Sequence, residues 1–254
     1  MCETCGCSES ERRFVEVEVH ESILAANERQ AAHNREHFQA ARTLAINLMG
    51  SPGSGKTALL EATAAALGGR RSIAAMSGDL ATDRDAERLR AAGIPAVAIT
   101  TGSACHLDAE MVHDALHQQL WASRGTRTGS YEPAELLFIE NIGNLVCPAV
   151  FDLGQSSNVV ALAVTEGEDK PLKYPVMFQR ADLVVLTKTD LLPYLDGVSV
   201  AGVRLNLEQV APAATLLPLS AKTGAGIGAW IAWLETQRRA GGIESAAARL
   251  HDAR

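Results

Sequence analysis

The chain has 254 residues, 47% hydrophobic and 21% charged, with a formal net charge of −7. That composition belongs to an ordinary globular protein with room for one sizeable domain or two small ones. The acidic balance gives no support to a nucleic-acid or anionic-membrane partner, and no apolar run reaches the roughly 18 residues of a membrane span.

The first residues, "MCETCGC", hold three of the five cysteines: Cys2, Cys5 and Cys7. Residues 1–13 are polar and lack apolar periodicity, which predicts a flexible arm. They have neither the basic start nor the apolar stretch of a signal peptide, so a cytoplasmic, reducing setting is expected. Clustered cysteines there are more often metal ligands or redox groups than disulfides. Residues 14–42 contain "VEVEVHESIL" and the Gly- and Pro-free "ANERQAAHNREHFQAAR", which predict a helical segment packed on the main domain. His33 and His37 are four apart and share a helical face. With no third ligand evident, they read as part of a solvated polar face.

From residue 43 to 240 the pattern is that of one domain. Seven short apolar runs read as buried strands: 44–49, 71–79, 96–100, 136–141, 159–166, 182–190 and 215–221. Helix-like stretches at 56–67, 83–92, 107–121 and 226–239 separate several of them. This alternation predicts an α/β fold with a mostly parallel sheet flanked by helices. "SRGTRTGSYEP" (123–133) is a polar surface loop, and residues 241–254 form a peripheral tail.

"GSPGSGKT" (50–57) lies directly between a strand and a helix, the context that gives the P-loop motif its specificity. Its glycines let backbone N–H groups converge on phosphate oxygens, helped by the helix N-terminus. Gly50, Gly53, Ser54, Gly55, Lys56, Thr57 and Ala58 form the expected phosphate-binding set. Lys56 should reach the β/γ-phosphates, and the Thr57 hydroxyl should ligate Mg²⁺. "TKTD" (187–190) follows a strand where guanine-reading proteins carry Asn-Lys-x-Asp. Asp190 can accept two hydrogen bonds from guanine, Lys188 can lie over the purine, and Thr187 replaces the usual Asn. "SAKTG" adds Ser220, Ala221 and Lys222 behind the base. The two motifs in order favour GTP over ATP. Asp79 and Glu140, at strand ends, are the expected Mg²⁺ carboxylates. Asp83 or Asp85, in the segment 79–90 that reads as a switch, is expected to position the attacking water.

Cys2, Cys5, Cys7 and a terminal amine offer four donors to a borderline divalent metal. A tetrahedron would favour zinc and a plane Ni(II) or Cu(II), and the residues alone leave that choice open. Cys105 and His106 in "GSACHLD", with Cys147 in "ENIGNLVCP", make a second metal site. Cys147 lies seven residues beyond Glu140, in the loop expected to sense the γ-phosphate, so metal affinity should depend on nucleotide state.

The motifs "MCETCGC", "LMGSPGSGKT", "GDLATDRDAERL", "TTGSACHLDAEMV", "ENIGNLVCP", "TEGEDKPLKYP" and "LTKTDLLPYL" resemble the HypB hydrogenase maturation family of nickel-insertion GTPases, from the start to about residue 235. The resemblance implies a P-loop G domain bearing an N-terminal metal-binding arm, with a tight nickel site at Cys2, Cys5 and Cys7. It implies a weaker Ni/Zn site at Cys105, His106 and Cys147 near a GTP-promoted homodimer interface. It also implies slow GTP hydrolysis, nickel delivery to a [NiFe]-hydrogenase large-subunit precursor, and a HypA-type metallochaperone as partner. Thr187 departs from the family pattern. So does the lack of a histidine-rich stretch after the terminal motif, which argues against bulk nickel storage. A zinc-handling GTPase, or a metal-buffering protein with the P-loop as a regulatory switch, are the alternatives.

Overall fold

The computed structural model describes residues 7–102, 104–117 and 133–242, with side chains from Ser22 onward. Helix α1 (Cys7–Ala40) precedes β1 (Leu44–Met49) and α2 (Lys56–Leu67). There follow β2 (Ile73–Asp79), α3 (Arg84–Ala91), β3 (Ala96–Thr100), α4 (Ala109–Ala115) and β4 (Leu136–Glu140). The second half holds β5 (Ser157–Ala163), α5 (Lys170–Lys173), α6 (Pro175–Gln179), β6 (Leu183–Thr187), α7 (Val200–Val210), β7 (Thr215–Pro218) and α8 (Ile227–Ala240). The strands form one seven-stranded sheet in the order β3-β2-β4-β1-β5-β6-β7, and every pairing is parallel. From β1 the chain crosses to β2 on one side of the sheet, whereas the neighbouring β5 leads to β6 on the other, so the P-loop leaves the sheet at a topological switch point, where open α/β sheets bind ligands.

All six residues of β1 are buried. That follows from a parallel strand covered on both faces. On one face Leu44, Ile46 and Leu48 pack with Leu59 and Leu60 of α2, Leu89 of α3 and Trp230 of α8. The Trp230 indole N–H donates to Thr63 Oγ1 at 2.8 Å, satisfying the one polar atom of a fully buried ring. The other face is split. Helices α6 and α7 cover β5 and β6 through Met177, Phe178, Val203 and Leu207. Phe38 of α1 and Val112 of α4 cover β2 and β4.

Helix α1 starts at Cys7, inside the segment read as an arm. No Gly or Pro interrupts residues 7–40, and the Glu, Arg, Gln and Ala there are good helix formers, so the helix extends back beyond residue 14. The inner end of α1 is fastened by amide side chains. Asn34 Nδ2 donates to Ala109 O (2.7 Å) and Leu153 O (3.2 Å), and Asn27 Oδ1 accepts from Ala109 N at 2.9 Å. Gly154, at φ +86°, lies against this helix, where a Cβ would meet Ala31 O at 2.5 Å. Three helices, α5 to α7, were not anticipated from sequence. The first two are single turns opened by proline, and α7 has Gly202 near its start, so their patterns are weak. The 1–6, 123–132 and 243–254 portions of the predicted arm, loop and tail lie outside the described residues.

Candidate functional site

The segment between β1 and α2 wraps as the glycines allow. Gly50, Gly53 and Gly55 have φ of +144°, +74° and +93°. At Gly50 a Cβ would also run into the Ala161 carbonyl. Lys56 Nζ donates to Gly50 O and Ser51 O, both at 3.1 Å, so the lysine braces its own loop. Beyond it lies a cavity of about 430 Å³ lined by Lys56, Thr57, Asp79, Asp85, Arg88 and Glu140, among others. Asp83 does not line it. It is an exposed N-cap residue of α3 whose side chain caps nothing.

The cavity's charges are in tension. Burial pushes Lys56 down, against the pull of Glu140. Burial pushes Glu140 up to about 7, against the hydrogen bond from Thr57 and the Lys56 charge. Desolvation outweighs the attraction for both partners, which is what a site built for further charges would show. Thr57 Oγ1 donates to Glu140 Oε1 at 2.7 Å, while Glu140 Oε2 is buried with no hydrogen-bond partner among the described residues. An orphaned carboxylate oxygen beside a hydroxyl is a hard-oxygen donor set that fits Mg²⁺. Asp79, at the end of β2, accepts from Ala81 N and Thr82 N at 2.9 Å, and these backbone donors hold it below the usual carboxylate range.

A second cavity, of about 310 Å³, adjoins the first across Gly55 and Ala58. Thr187, Lys188, Asp190, Ser220, Ala221 and Lys222 line it. Its parts are already tied together. Ser220 Oγ donates to Asp190 Oδ1 at 2.6 Å, Thr187 Oγ1 donates to Ser54 O at 2.6 Å, and Lys188 Nζ donates to Gly53 O at 2.7 Å. Thr187 thus anchors the base-side loop to the P-loop.

On the other side of β1, Cys105, His106 and Cys147 converge, their ligand atoms all within 4.8 Å of one another. The thiols are free and 3.0 Å apart, with Cys105 Sγ 3.8 Å from His106 Nδ1. Contact with Cys105, then burial, pushes the Cys147 thiol up, while burial pushes His106 down. The His106 ring stacks on Phe151 with centroids 3.9 Å apart. Neutral imidazole and two adjacent thiols suit a borderline-soft divalent ion that displaces the thiol protons.

The loop from Glu140 to Cys147 runs along the P-loop. Gly50 and Asn144 form an antiparallel bridge, and Gly143 sits against Pro52, where a Cβ would approach to 2.8 Å. Asn141 Oδ1 accepts from Leu107 N at 3.2 Å, which ties the Cys105 segment to the end of β4. Sequence reasoning overlooked Glu166. Its Oε2 accepts from Ser51 Oγ at 2.5 Å and its Oε1 from Ala163 N at 2.9 Å, bracing the P-loop from β5. Its position in "TEGEDK", right after a strand, was the available signal. Cys2 and Cys5, and the side chain of Cys7, lie outside the described residues.

Residues 44–217 match the CobW/HypB/UreG nucleotide-binding domain family. The hydrogenase maturation factor HypB of Azotobacter vinelandii is 51% identical, over 90% of this chain and 71% of the relative. The chain belongs to the HypB family. The Escherichia coli K12 member is 47% identical over 90% of this chain and 74% of its own. The HypB crystal structure from Archaeoglobus fulgidus superposes with a TM-score of 0.74 at 40% identity, covering 85% of this chain and all of that one. HypB from Helicobacter pylori, crystallised in complex with nickel, gives 0.78 at 37% identity, covering 87% and 98%. The parallel sheet flanked by helices is the architecture these HypB structures share. Among the described residues no helix is long and apolar enough to cross a membrane.

Proposed function

We propose that this HypB-family chain is a GTP-hydrolysing nickel metallochaperone that supplies a [NiFe]-hydrogenase large-subunit precursor, with a HypA-type protein as its partner. The observation that carries the reading is the Cys105–His106–Cys147 cluster set on a loop that is bridged to the P-loop through Gly50 and Asn144. The nickel complex of the Helicobacter pylori relative supports nickel as cargo, with zinc as the competing ion at the same ligands.

In this reading Asp190, held by Ser220, accepts from the guanine edge, and the Lys188 stem covers the purine face. Backbone N–H groups of the P-loop and Lys56 hold the phosphates. Thr57, Glu140 and Asp79 would hold Mg²⁺, which neutralises developing charge on the phosphates when bound. Asp85, which lines the cavity where Asp83 does not, orients the attacking water. Cys2, Cys5 and Cys7 make the tight nickel site. The exposed Val146 and Val150 beside Cys147 support a GTP-promoted homodimer through this face.

The test uses the full chain with Cys2, Cys5 and Cys7 changed to Ala. Ni²⁺ titration against a chelator is run with GDP and with a non-hydrolysable GTP analogue, alongside sedimentation and phosphate release. The expected outcome is turnover close to wild type, loss of the tight site, and a remaining site whose affinity shifts roughly 5- to 150-fold between nucleotides. Tight nickel binding by this variant, or identical isotherms and oligomeric states in both nucleotides, would overturn the reading.

A further inference from the structure

Four histidines meet where α1 crosses α4. His33 and His37 lie one turn apart on α1. His113 lies on α4, and His117 follows in the wider turn that continues it. The expectation that His33 and His37 had no further ligand nearby is corrected by the packing. One available nitrogen from each of His33, His37 and His113 lies within 4.8 Å of the other two. Ring centroids are 5.1 Å apart for His37–His117 and 4.3 Å for His113–His117. We propose that these imidazoles form a further binding site for a divalent first-row transition-metal ion, separate from the three cysteine ligands of the arm and from Cys105, His106 and Cys147.

Three observations carry this. First, the rings are aimed at each other. His33 Nε2 and His37 Nε2 are 2.9 Å apart, so one nitrogen must donate to the other's lone pair, and a cation can replace that shared proton. Secondly, His113 Nδ1 is buried with no hydrogen-bond partner among the described residues. Such an atom in a polar cluster calls for a ligand. Thirdly, the framework is set by other residues. Asn34, between the two α1 histidines, donates to Ala109 O at the start of α4, and Asn27 accepts from Ala109 N. The helices are therefore positioned without help from the rings, which is the preorganisation a ligand set needs.

The chemistry agrees. Burial, then the neighbouring imidazoles, push His37 and His113 below the usual histidine value, leaving the neutral form that ligates metals. Glu36, Glu110 and Asp114 lie close enough to act on these rings, and their charges favour a cation. A tetrahedral ion with metal–nitrogen bonds of 2.0–2.1 Å needs nitrogens about 3.4 Å apart, which modest ring rotations from the observed spread can reach. Imidazole-only ligation suits Ni(II), Zn(II) or Cu(II) rather than Mg²⁺. His113 lies on α4, and Cys105 and His106 lie in the segment that leads into that helix.

Co²⁺ titration of the full chain, without nucleotide, separates the site types. Thiolate sites add near-ultraviolet charge-transfer absorption, whereas an imidazole-only site adds visible d–d bands alone. The wild-type chain should bind one equivalent with the second signature. A His33→Ala/His37→Ala variant and, on the other helix, a His113→Gln variant should each lose that equivalent or weaken it at least about 10-fold. Both should keep the thiolate signals, with circular dichroism showing that they remain folded. Retention of the equivalent in either folded variant, or its absence from wild type, would overturn the proposal. Neither result touches the nucleotide or cysteine sites.

Discussion

The sheet has two differently finished halves on either side of β1. On the β5-β6-β7 side, the polar groups around the base-sized cavity are already paired: Asp190 with Ser220, Thr187 with Ser54 O, Lys188 with Gly53 O. On the β4-β2-β3 side, the reactive groups have one another. The Cys105 and Cys147 thiols touch, the histidines of α1 and α4 face each other, and Glu140 keeps one buried oxygen unpartnered. In the proposed function the first arrangement is a mould, fixed before a planar, directional guest arrives. The second is a set of donors whose geometry an ion completes. A metal draws ligands in over a few tenths of an ångström, whereas a base edge needs its acceptors in place.

The contrast can be broken by substitution. The largest effect is expected at Glu140→Gln, which should lower GTP turnover on the order of 1,000-fold by removing a carboxylate for Mg²⁺. The same change should flatten the pH dependence of nucleotide-free stability. The folded carboxyl holds its proton up to about 7, against an ordinary value of 4.5. Its contribution is therefore complete below about 4.5 and lost as pH rises through about 7, a difference of roughly 3 kcal/mol at most. Urea unfolding should show the Gln variant more stable than wild type at pH 8 and equal to it near pH 4. A Gln variant with the same pH slope as wild type would remove Glu140 as the strained group.

Next comes Cys147→Ala. It should weaken nickel binding at the G-domain site by about 100-fold, no less than the loss of an outer hydrogen-bond partner elsewhere produces. Without metal, GTP affinity should stay within about twofold of wild type, measured by fluorescent-nucleotide titration. A large loss of GTP affinity would show that the two halves share more than the Gly50–Asn144 bridge. On the finished side, Asp190→Asn should lower GTP affinity by roughly 30-fold, the value of about 2 kcal/mol of charge-assisted hydrogen bonding. It should also favour xanthosine triphosphate, because the amide presents a donor where the carboxylate only accepts. Equal affinity for GTP in the variant would take Asp190 out of the base pocket. The smallest effect belongs to Thr187→Val. Losing the bond to Ser54 O should cost about 1 kcal/mol, near fivefold in GTP affinity, with base preference unchanged.

Legibility in the sequence did not follow this division. β1, α2 and β3 were read at their observed bounds, because a buried parallel strand is a continuous apolar run and a P-loop announces the helix behind it. The grouping of Thr187, Lys188 and Asp190 with Ser220, Ala221 and Lys222 was legible because each motif follows a strand and lies downstream of a P-loop. Glu166 and the helix pair carrying the histidines were not. Glu166 acts through Ser51, 115 residues away in the chain, so its place after a strand marks it as a candidate without revealing its partner. His33 and His113 are joined only by the docking of α1 onto α4, which rests on Asn27 and Asn34, residues that look like surface polar groups until their burial is seen. The early start of α1 was missed because residues 7–13 are polar and show no apolar periodicity.

The pairing of Gly50 with Asn144 bears on how this protein can change over generations. A loop that only held a metal could gain or lose a residue and be re-selected for a different ion. Here an insertion between Glu140 and Gly143 would shift Asn144 off Gly50 and Gly143 off Pro52, disturbing the phosphate cradle at the same moment. Drift in metal preference is thereby channelled into side-chain identity at fixed loop length, and lineages that alter the loop's length must solve the nucleotide problem again.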